Sequence, residues 1–195
     1  MILVGGGARS GKSAFASRYA LRLGARRTYL ATAEALDAEM AVRITRHRAE
    51  RAGSFTTLEE PLALAAALER VPRGEVVLVD CLTLWLSNLL GQGAGDDEIL
   101  AQVSSVLSVA ALRAGPTLLV TNEVGLGLVP ESALGRRFRD VAGLVHQRVA
   151  AQADEVYLAA LGMVIRLCPG PLLAFRTGEV PRPEGEGEGG GDSPG

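Results

Sequence analysis

The chain has 195 residues, of which 48% are apolar, and it carries 20 lysine and arginine residues against 22 aspartate and glutamate residues. This length and hydrophobicity suit one compact domain with a sizeable core. The formal net charge of -2 excludes the strongly basic character of a protein that binds nucleic acid or an anionic membrane surface.

Neither a targeting signal nor a membrane segment is indicated by the sequence. Residues 1–4 are apolar, but residues 5–13 are rich in glycine and include charged residues, unlike the apolar core of a secretory signal. No apolar run approaches the ~20 residues of a membrane-spanning helix. The two cysteines, Cys81 and Cys168, form no CxxC pair, and we expect both to be reduced. A cytoplasmic protein without a membrane span is therefore expected.

Short apolar runs predict strands, and apolar residues recurring every three or four positions predict helices. In chain order the predicted elements are a strand at 1–4, a helix at 12–23, a strand at 28–32, a helix at 36–51 with Asp37 as its N-cap, a helix beginning at Pro61, a strand at 76–79, helices at 82–90 and 97–113, a strand at 117–121, a helix at 131–152, and strands at 155–159 and 163–167. Such alternation predicts a single α/β domain over residues 1–170, with a mostly parallel sheet covered by helices on both faces. Residues 181–195 are rich in Gly, Glu and Pro, and we expect them to be disordered.

Residues 6–13 match the phosphate-loop pattern G-x-x-x-x-G-K-[ST] in full. They lie between a predicted strand and a predicted helix, which is the context in which this pattern binds nucleotides. The backbone N–H groups of such a loop, together with the positive end of the following helix, attract phosphates. We expect Lys12 to contact the β- and γ-phosphates and the hydroxyl of Ser13 to bind Mg²⁺. The predicted nucleotide-binding residues of the loop are Gly6, Gly7, Ala8, Arg9, Ser10, Gly11, Lys12 and Ser13.

Lys12 is the only lysine in the chain, since all other basic residues are arginine. A compact ammonium group fits between phosphate oxygens where the wide guanidinium fork does not, which supports a catalytic role for Lys12. Asp80 ends an apolar strand, as a Walker B acid does, and is predicted to contribute to the magnesium site. The alternative role for Asp80 is an N-cap of the next helix.

The predicted helix at 36–51 carries Arg43, His47 and Arg51 at intervals of four residues, and therefore on one face. A solvated basic face is the ordinary meaning of such a pattern. Neighbouring arginines disfavour the imidazolium form, however, and a neutral imidazole can attack an α-phosphate to form a covalent phosphoramidate. We predict His47 as a nucleophile. His146, the other histidine, is predicted to be structural or incidental.

Several segments resemble the bifunctional adenosylcobinamide kinase/adenosylcobinamide-phosphate guanylyltransferase family of cobalamin biosynthesis. The resemblance is collinear and covers about residues 1–168. It rests on residues 1–13, 29–33, 37–40, 43–47, 57–59, 80–83, 88–90, 120–130, 138–143 and 153–156.

This resemblance implies two reactions. ATP or GTP phosphorylates the aminopropanol hydroxyl of adenosylcobinamide, and GTP then transfers GMP to that phosphate, giving adenosyl-GDP-cobinamide and pyrophosphate. A histidine on the helix after the second strand carries GMP in the family, and His47 occupies that position. The resemblance also implies a RecA-like sheet and a homotrimer with its active site near subunit boundaries. Further nucleotide contacts are implied at Thr32, Ala33, Glu34, Arg48, Ala49, Glu50, Arg51, Glu59 and Asp80.

Two other functions remain open at this point. A monofunctional P-loop kinase for a small molecule would need Lys12 and Asp80 but not His47. A guanine-nucleotide switch commonly reads guanine with N-K-x-D, which is absent because no lysine lies outside the loop. The base of a kinase step is not fixed by the pattern, and Glu123, beside the turn at 125–127, is a candidate.

Overall fold

The computed structural model describes residues 1–34, 38, 42, 45, 48–49, 53–170 and 173–176. The strands are β1 (Ile2–Gly6), β2 (Arg27–Ala31), β3 (Thr56–Glu59), β4 (Val76–Asp80), β5 (Thr117–Asn122), β6 (Glu155–Ala160), β7 (Met163–Cys168) and β8 (Leu173–Arg176). The helices with defined bounds are α1 (Lys12–Leu23), α2 (Leu64–Arg70), α3 (Leu82–Gly91), α4 (Asp96–Ala111) and α5 (Ala133–Gln152).

The strands form one 8-stranded sheet in the order β3-β2-β4-β5-β1-β6-β7-β8. The strands from β3 to β6 in this order are parallel, whereas β7 and β8 are antiparallel to their neighbours. Because parallel strands end at the same edge of a sheet, the segments that follow β1, β4 and β5 lie beside one another. Strand β5 lies between the other two, and its last residue, Asn122, pairs with Gly6 of β1.

Helices cover both faces of the sheet, as the apolar strands require. Side chains of β5 alternate between two core clusters, because successive residues of a strand point to opposite faces. Leu118 and Val120 pack in the cluster that contains Phe15 of α1, and Leu119 packs in the cluster that contains Trp85 of α3. This double burial explains why the central strands are apolar throughout rather than alternating. Within the described ranges, no helix is both long and apolar enough to cross a membrane.

The predicted α/β fold with a mostly parallel sheet is confirmed, but both edge strands were missed. Strand β3 is exposed at Thr56 and Glu59 and has no apolar run. It is stabilised by pairing with β2 rather than by burial. Strand β8 is equally short, with 4 residues, and pairs only with β7 among the described strands. Four residues carry too little periodicity to identify a strand from sequence.

Helix α2 begins at Leu64, three residues after the predicted start at Pro61. The carboxylate of Glu60 explains the delay, because its Oε1 accepts hydrogen bonds from the backbone N–H groups of Leu62 (3.2 Å) and Ala63 (2.9 Å). These bonds form a local turn that satisfies the backbone before the helix starts.

The helix predicted at 36–51 falls mostly outside the described residues, and so does its predicted N-cap, Asp37. Of this segment, residues 38, 42, 45, 48 and 49 are described, and all five are helical. The tail at 181–195 also lies outside the described part of the chain, so the expectation of disorder there stays a prediction.

Candidate active site

The loop between β1 and α1 has the shape of a phosphate cradle. A Cβ at Gly6 would lie 2.4 Å from the carbonyl oxygen of Ala159 and 2.7 Å from Oγ of Ser10, so only glycine fits this position. Arg9 and Gly11 both adopt left-handed backbone conformations, with φ of 55° and 94°. Left-handed residues placed between right-handed ones turn successive N–H groups inward and form a concavity that binds anions.

Two polar side chains inside the loop favour an anionic ligand. Lys12, the first residue of α1, is only 8% exposed, and its Nζ donates a hydrogen bond to the carbonyl of Gly7 at 3.1 Å. The hydroxyl oxygen of Ser10 is buried and has no hydrogen-bond partner among the described residues. Leaving a buried polar group unsatisfied costs about 1–3 kcal/mol, and a phosphate oxygen in the loop would remove that cost.

The N-terminus of α1 adds donors at the same place. Its N-cap residue, Gly11, provides no side-chain cap, and the first turn carries no acidic residue. The first N–H groups of the helix are therefore available to a ligand with negative charge. Ser13, the second residue of α1, is half-buried and adds a hydroxyl beside these N–H groups.

Asp80 ends β4 at the same edge of the sheet, and its carboxylate is held by a neighbouring strand. The hydroxyl of Tyr29 donates a hydrogen bond to Oδ2 of Asp80 at 2.7 Å. The N-cap position of α3 is taken by Cys81, without a side-chain cap bond, so the structure does not support the alternative N-cap role for Asp80. The Asp80–Cys81 peptide bond is cis.

The charges of Lys12 and Asp80 have opposite effects on the pKa of one buried thiol, that of Cys81. Burial raises the pKa of Cys81, the negative charge of Asp80 raises it further, and the positive charge of Lys12 opposes both effects. The pKa of this thiol therefore responds to both the lysine of the loop and the acid of β4.

The donor set at this edge fits Mg²⁺. A hydroxyl from Ser13 and a carboxylate from Asp80 are oxygen ligands, which this cation prefers. No group of three or more potential metal ligands among His, Cys, Asp and Glu occurs in the part of the chain that the structure describes. Mg²⁺ is commonly bound by few protein ligands and completed by phosphates and water, so the sparse set agrees with a nucleotide-bound cation.

Thr32, predicted to contact nucleotide, is fully buried and its polar groups are engaged within the protein. Its Oγ1 donates to the carbonyl of Cys81 (2.8 Å) and accepts from the Cys81 N–H (2.9 Å), while its carbonyl accepts from the amide of Asn88 (2.8 Å). Thr32 thus fixes the end of β2 against the residue after Asp80. Ala33 and Glu34, also predicted, are half-buried and follow it at the edge.

Arg48 and Glu59 were both predicted to bind nucleotide, and they form an ion pair. Both side chains are about half exposed, at 55% and 49%. Glu59 is the last residue of β3, so the pair lies at the carboxyl-end edge of the sheet. Ala49, also predicted, is helical and exposed, whereas His47, Glu50 and Arg51 lie outside the described residues.

The end of β5 contributes polar groups to the same end of the sheet: Glu123, the candidate base, and Asn122, which the sequence patterns did not single out. The N–H of Glu123 donates to the carbonyl of Gly6 at 3.0 Å. The amide of Asn122 donates to the hydroxyl of Thr83 at 2.9 Å, and this hydroxyl also contacts the sulfur of Cys81 at 3.1 Å. These bonds connect the phosphate loop to the segment after Asp80.

His146 of α5 is packed against the same strand end. Its Nε2 lies 2.7 Å from Oγ1 of Thr121, and its Nδ1 lies 3.7 Å from Oε2 of Glu123. Burial lowers the pKa of His146, and the carboxylate of Glu123 partly opposes this effect. A histidine predicted to be structural or incidental therefore contacts a polar group beside the phosphate loop.

Comparison with known proteins identifies the family. The sequence profile described as CobU, cobinamide kinase / cobinamide phosphate guanyltransferase, matches residues 2–167. The chain belongs to this cobinamide kinase family. A protein of Pseudomonas aeruginosa named bifunctional adenosylcobalamin biosynthesis protein CobP is 45% identical over 173 residues, covering 87% of this chain and 98% of the relative. The corresponding CobU protein of Escherichia coli K12 is 39% identical over 180 residues, covering 86% of this chain and 99% of that relative.

A solved structure of much lower sequence identity has a similar fold. The RadB recombinase superposes with a TM-score of 0.51 at 16% identity, covering 90% of this chain and 86% of that one. At this level of identity the likeness shows the fold alone, and it confirms the predicted RecA-like sheet.

Proposed function

We propose that this protein phosphorylates adenosylcobinamide with ATP or GTP and then transfers GMP from GTP to adenosylcobinamide phosphate. The products are adenosyl-GDP-cobinamide and pyrophosphate, and His47 carries GMP between the two substrates. The supporting observation is the glycine-dependent loop after β1, with Lys12 buried at its end and the Ser10 hydroxyl without a partner among the described residues, in a chain that belongs to the cobinamide kinase family.

In the kinase step, the loop and the start of α1 hold the β- and γ-phosphates through their N–H groups and the ammonium of Lys12. The acceptor hydroxyl attacks the γ-phosphorus, and the bond to the bridging oxygen breaks as the nucleoside diphosphate leaves. Ser13 and Asp80 would hold Mg²⁺, which neutralises negative charge on the phosphates. Tyr29 keeps the carboxylate of Asp80 in place.

In the transfer step, the neutral imidazole of His47 attacks the α-phosphorus of GTP, and pyrophosphate leaves. A phosphate oxygen of adenosylcobinamide phosphate then attacks the same phosphorus, which releases His47 and completes the new P–O–P bond. Positively charged guanidinium groups stabilise the charge on the transferred group. Arg48, next to His47 in the chain, is held by Glu59 and belongs to the proposed nucleotide contacts.

The position of Arg48 supports a site completed by another subunit. Strand β3, which ends at Glu59, is four strands away from β1 in the sheet. At about 4.8 Å between neighbouring strands, this separation is about 19 Å. A nucleotide held in the loop of one subunit is poorly placed to reach this pair in the same subunit. We therefore include a homotrimer, with active sites near subunit boundaries, in the proposal.

Exposed apolar side chains border the phosphate loop on two sides. Leu126 and Leu128, in the segment after β5, are 86% and 96% exposed, and Leu161, in the turn between β6 and β7, is 99% exposed. Because β5 and β6 both flank β1, these leucines lie around the loop. Exposed apolar groups beside a phosphate site support a large, partly apolar acceptor such as adenosylcobinamide.

Labelling with GTP that carries ³²P at the α-phosphate tests the proposal. We expect acid-labile, base-stable label on His47, and its release as adenosyl-GDP-cobinamide when adenosylcobinamide phosphate is added. His47→Ala should abolish the label while at least part of the kinase activity remains. Kinase activity without any label in the wild-type protein would indicate a monofunctional kinase. Label retained in His47→Ala would reject His47 as the carrier.

A further inference from the structure

Glu123 lies where a base for the kinase step is needed. It follows β5, the strand between β1, which ends in the phosphate loop, and β4, which ends in Asp80. Its N–H donates to the carbonyl of Gly6, which fixes the backbone of Glu123 against the entry to the loop. Glu123 therefore follows the strand end that lies between the phosphate loop and Asp80.

Each oxygen of the Glu123 carboxylate lies near a nitrogen atom of another residue. Oε1 accepts a hydrogen bond from the N–H of Gly125 at 2.6 Å, and Oε2 lies 3.7 Å from Nδ1 of His146. A Cβ at Gly125 would lie 2.8 Å from Oε1, so a glycine there leaves room for this contact. The Glu123 side chain is still 30% exposed, and a substrate can reach it.

His146 is itself fixed by a second contact. Its Nε2 lies 2.7 Å from the hydroxyl oxygen of Thr121. In the neutral ring, a carboxylate beside Nδ1 favours the tautomer with the proton on that nitrogen, and the hydroxyl of Thr121 then donates to Nε2. Thr121 is 3% exposed, so its hydroxyl is no nucleophile for an incoming substrate and serves to orient the ring.

The other charged groups near this arrangement leave the roles of Glu123 and His146 unchanged. Arg139, on the same helix as His146, donates to the carbonyl of Gly125 at 3.0 Å and holds the turn that carries the Gly125 N–H. Lys12 bonds to Gly7 on the other side of the loop entry. Asp140, next to Arg139, is exposed on α5.

We propose that Glu123 accepts the proton of the acceptor hydroxyl in the kinase step and that His146 is a positioning residue that directs the Glu123 carboxylate. The inference rests on the proposed function. As the acceptor oxygen bonds to the γ-phosphorus, its proton passes to Oε2 of Glu123, and the electrons of the broken bond leave with the nucleoside diphosphate. Glu123 returns the proton to water after the products leave. The acceptor of the GMP transfer is already an anionic phosphate, so that step needs no such base.

Glu123→Gln separates the two reactions. We expect the kinase kcat to fall by about 10²–10⁴-fold, the usual contribution of a general base, while the KM for nucleotide stays nearly constant. GMP transfer to adenosylcobinamide phosphate supplied directly should be unaffected. Glu131→Gln, which changes an exposed glutamate farther along the same segment, is the matched control. A kinase kcat within threefold of wild type in Glu123→Gln would overturn the proposal.

Two substitutions of His146 distinguish positioning from packing. The amide of asparagine falls near the place of Nδ1, facing Glu123, and the amide of glutamine falls near the place of Nε2, facing Thr121. We expect His146→Gln to lower the kinase kcat by about 10–100-fold, as for loss of an orienting partner, and His146→Asn to retain most of it. Equal losses of kinase activity in both variants, or equal losses in both reactions, would show that the role of His146 is packing alone.

Two outcomes separate failure of the proposed function from failure of this inference. If the wild-type protein phosphorylates no adenosylcobinamide, the proposed function fails. If the wild type and Glu123→Gln both phosphorylate it at similar rates, only this inference fails.

Discussion

The hydroxyl of Tyr29 donates a 2.7 Å hydrogen bond to the carboxylate of Asp80 across the neighbouring strands β2 and β4. The Tyr29 ring is 4% exposed and packs edge-on against Phe55, with 5.9 Å between ring centroids. The Tyr29 hydroxyl therefore has little conformational freedom. It fixes one oxygen, Oδ2, of the carboxylate that we propose as a cation ligand.

Tyr29→Phe is expected to weaken magnesium binding without disturbing the fold, because the ring and its packing remain. Loss of a group that orients a metal ligand typically costs about 10–100-fold in metal affinity. The measurement is the Mg²⁺ concentration that gives half-maximal kinase activity, which should rise, with kcat recovering at saturating Mg²⁺. Tyr19→Phe is the control, because its hydroxyl bonds to Glu155 at the opposite edge of the sheet. An unchanged Mg²⁺ requirement in Tyr29→Phe would remove Asp80 from the cation site.

Lys12→Ala is expected to abolish both reactions, because each of them needs the triphosphate held in the loop. Removing one preorganised donor to a developing negative charge costs about 10²–10³-fold in kcat, and a charged donor is expected to cost at least as much. Lys12→Arg should not rescue activity, since the guanidinium fork does not fit where the ammonium lies. Arg22→Ala, at the exposed end of α1, is the control. Retained GMP transfer in Lys12→Ala would mean that GTP for that step binds elsewhere.

Local patterns in the sequence were enough to predict the fold and the phosphate loop. The apolar run of β4 is short and rich in valine, which favours a strand buried on both faces, and the loop residues match a pattern whose geometry is local. Strand β3 was missed because its stabilisation comes from pairing with β2, which no local pattern encodes.

The contacts around the loop could not be predicted for the same reason. Glu123 and His146 are separated by a helical segment in the chain and meet only because α5 packs against the end of β5. Thr32 was selected as a nucleotide contact by resemblance, but its hydroxyl proves to be engaged with the backbone of Cys81, which lies on another strand end. Such long-range bonds depend on the order of strands in the sheet.

The two cysteines should differ in their reaction with thiol reagents. Cys81 is 3% exposed, and both its packing and its contact with Thr83 keep the sulfur from solvent, whereas Cys168 is exposed. We expect one thiol per chain to react rapidly with 5,5′-dithiobis(2-nitrobenzoate) in the native protein and two in denaturant. Cys168→Ser should abolish the rapid phase. Rapid reaction of the native Cys168→Ser variant would show that the segment after Asp80 opens.

Arg113→Lys is expected to destabilise the fold although it conserves charge. The guanidinium of Arg113 bonds to the carbonyls of Leu68, Val71, Pro72 and Glu75, which connects the end of α2 to the start of β4. An ammonium group cannot donate to all four carbonyls as the planar guanidinium does. Carbonyls left without a donor lower the free energy of unfolding by about 1–3 kcal/mol. The measurement is urea unfolding followed by the fluorescence of Trp85, the only tryptophan. Arg22→Lys, at an exposed position, should change the free energy of unfolding by less than about 0.5 kcal/mol.

The last prediction concerns His146 and the pH dependence of stability. Burial lowers the pKa of His146 in the folded protein from its ordinary value of 6.5, against the opposing attraction of Glu123. About one pH unit or more above 6.5 the ring is neutral in both states, and it contributes no pH dependence. Below that pH the unfolded chain binds a proton more readily than the folded one. The free energy of unfolding therefore decreases as the pH falls towards the folded-state pKa, by at most about 1.4 kcal/mol per pH unit for one proton.

The contribution of His146 is isolated by subtracting the unfolding free energy of His146→Gln from that of the wild type at each pH. All other titrating groups, including His47, are common to both proteins and cancel. We expect the difference to be constant between about pH 7 and 8 and to become less favourable to the wild type between about pH 6.5 and 5. A difference that instead grows on acidification would mean that Glu123 outweighs burial and that the ring binds its proton more tightly in the folded state. His146 would then be an imidazolium paired with Glu123, and the neutral-ring arrangement that directs the carboxylate would have to be abandoned.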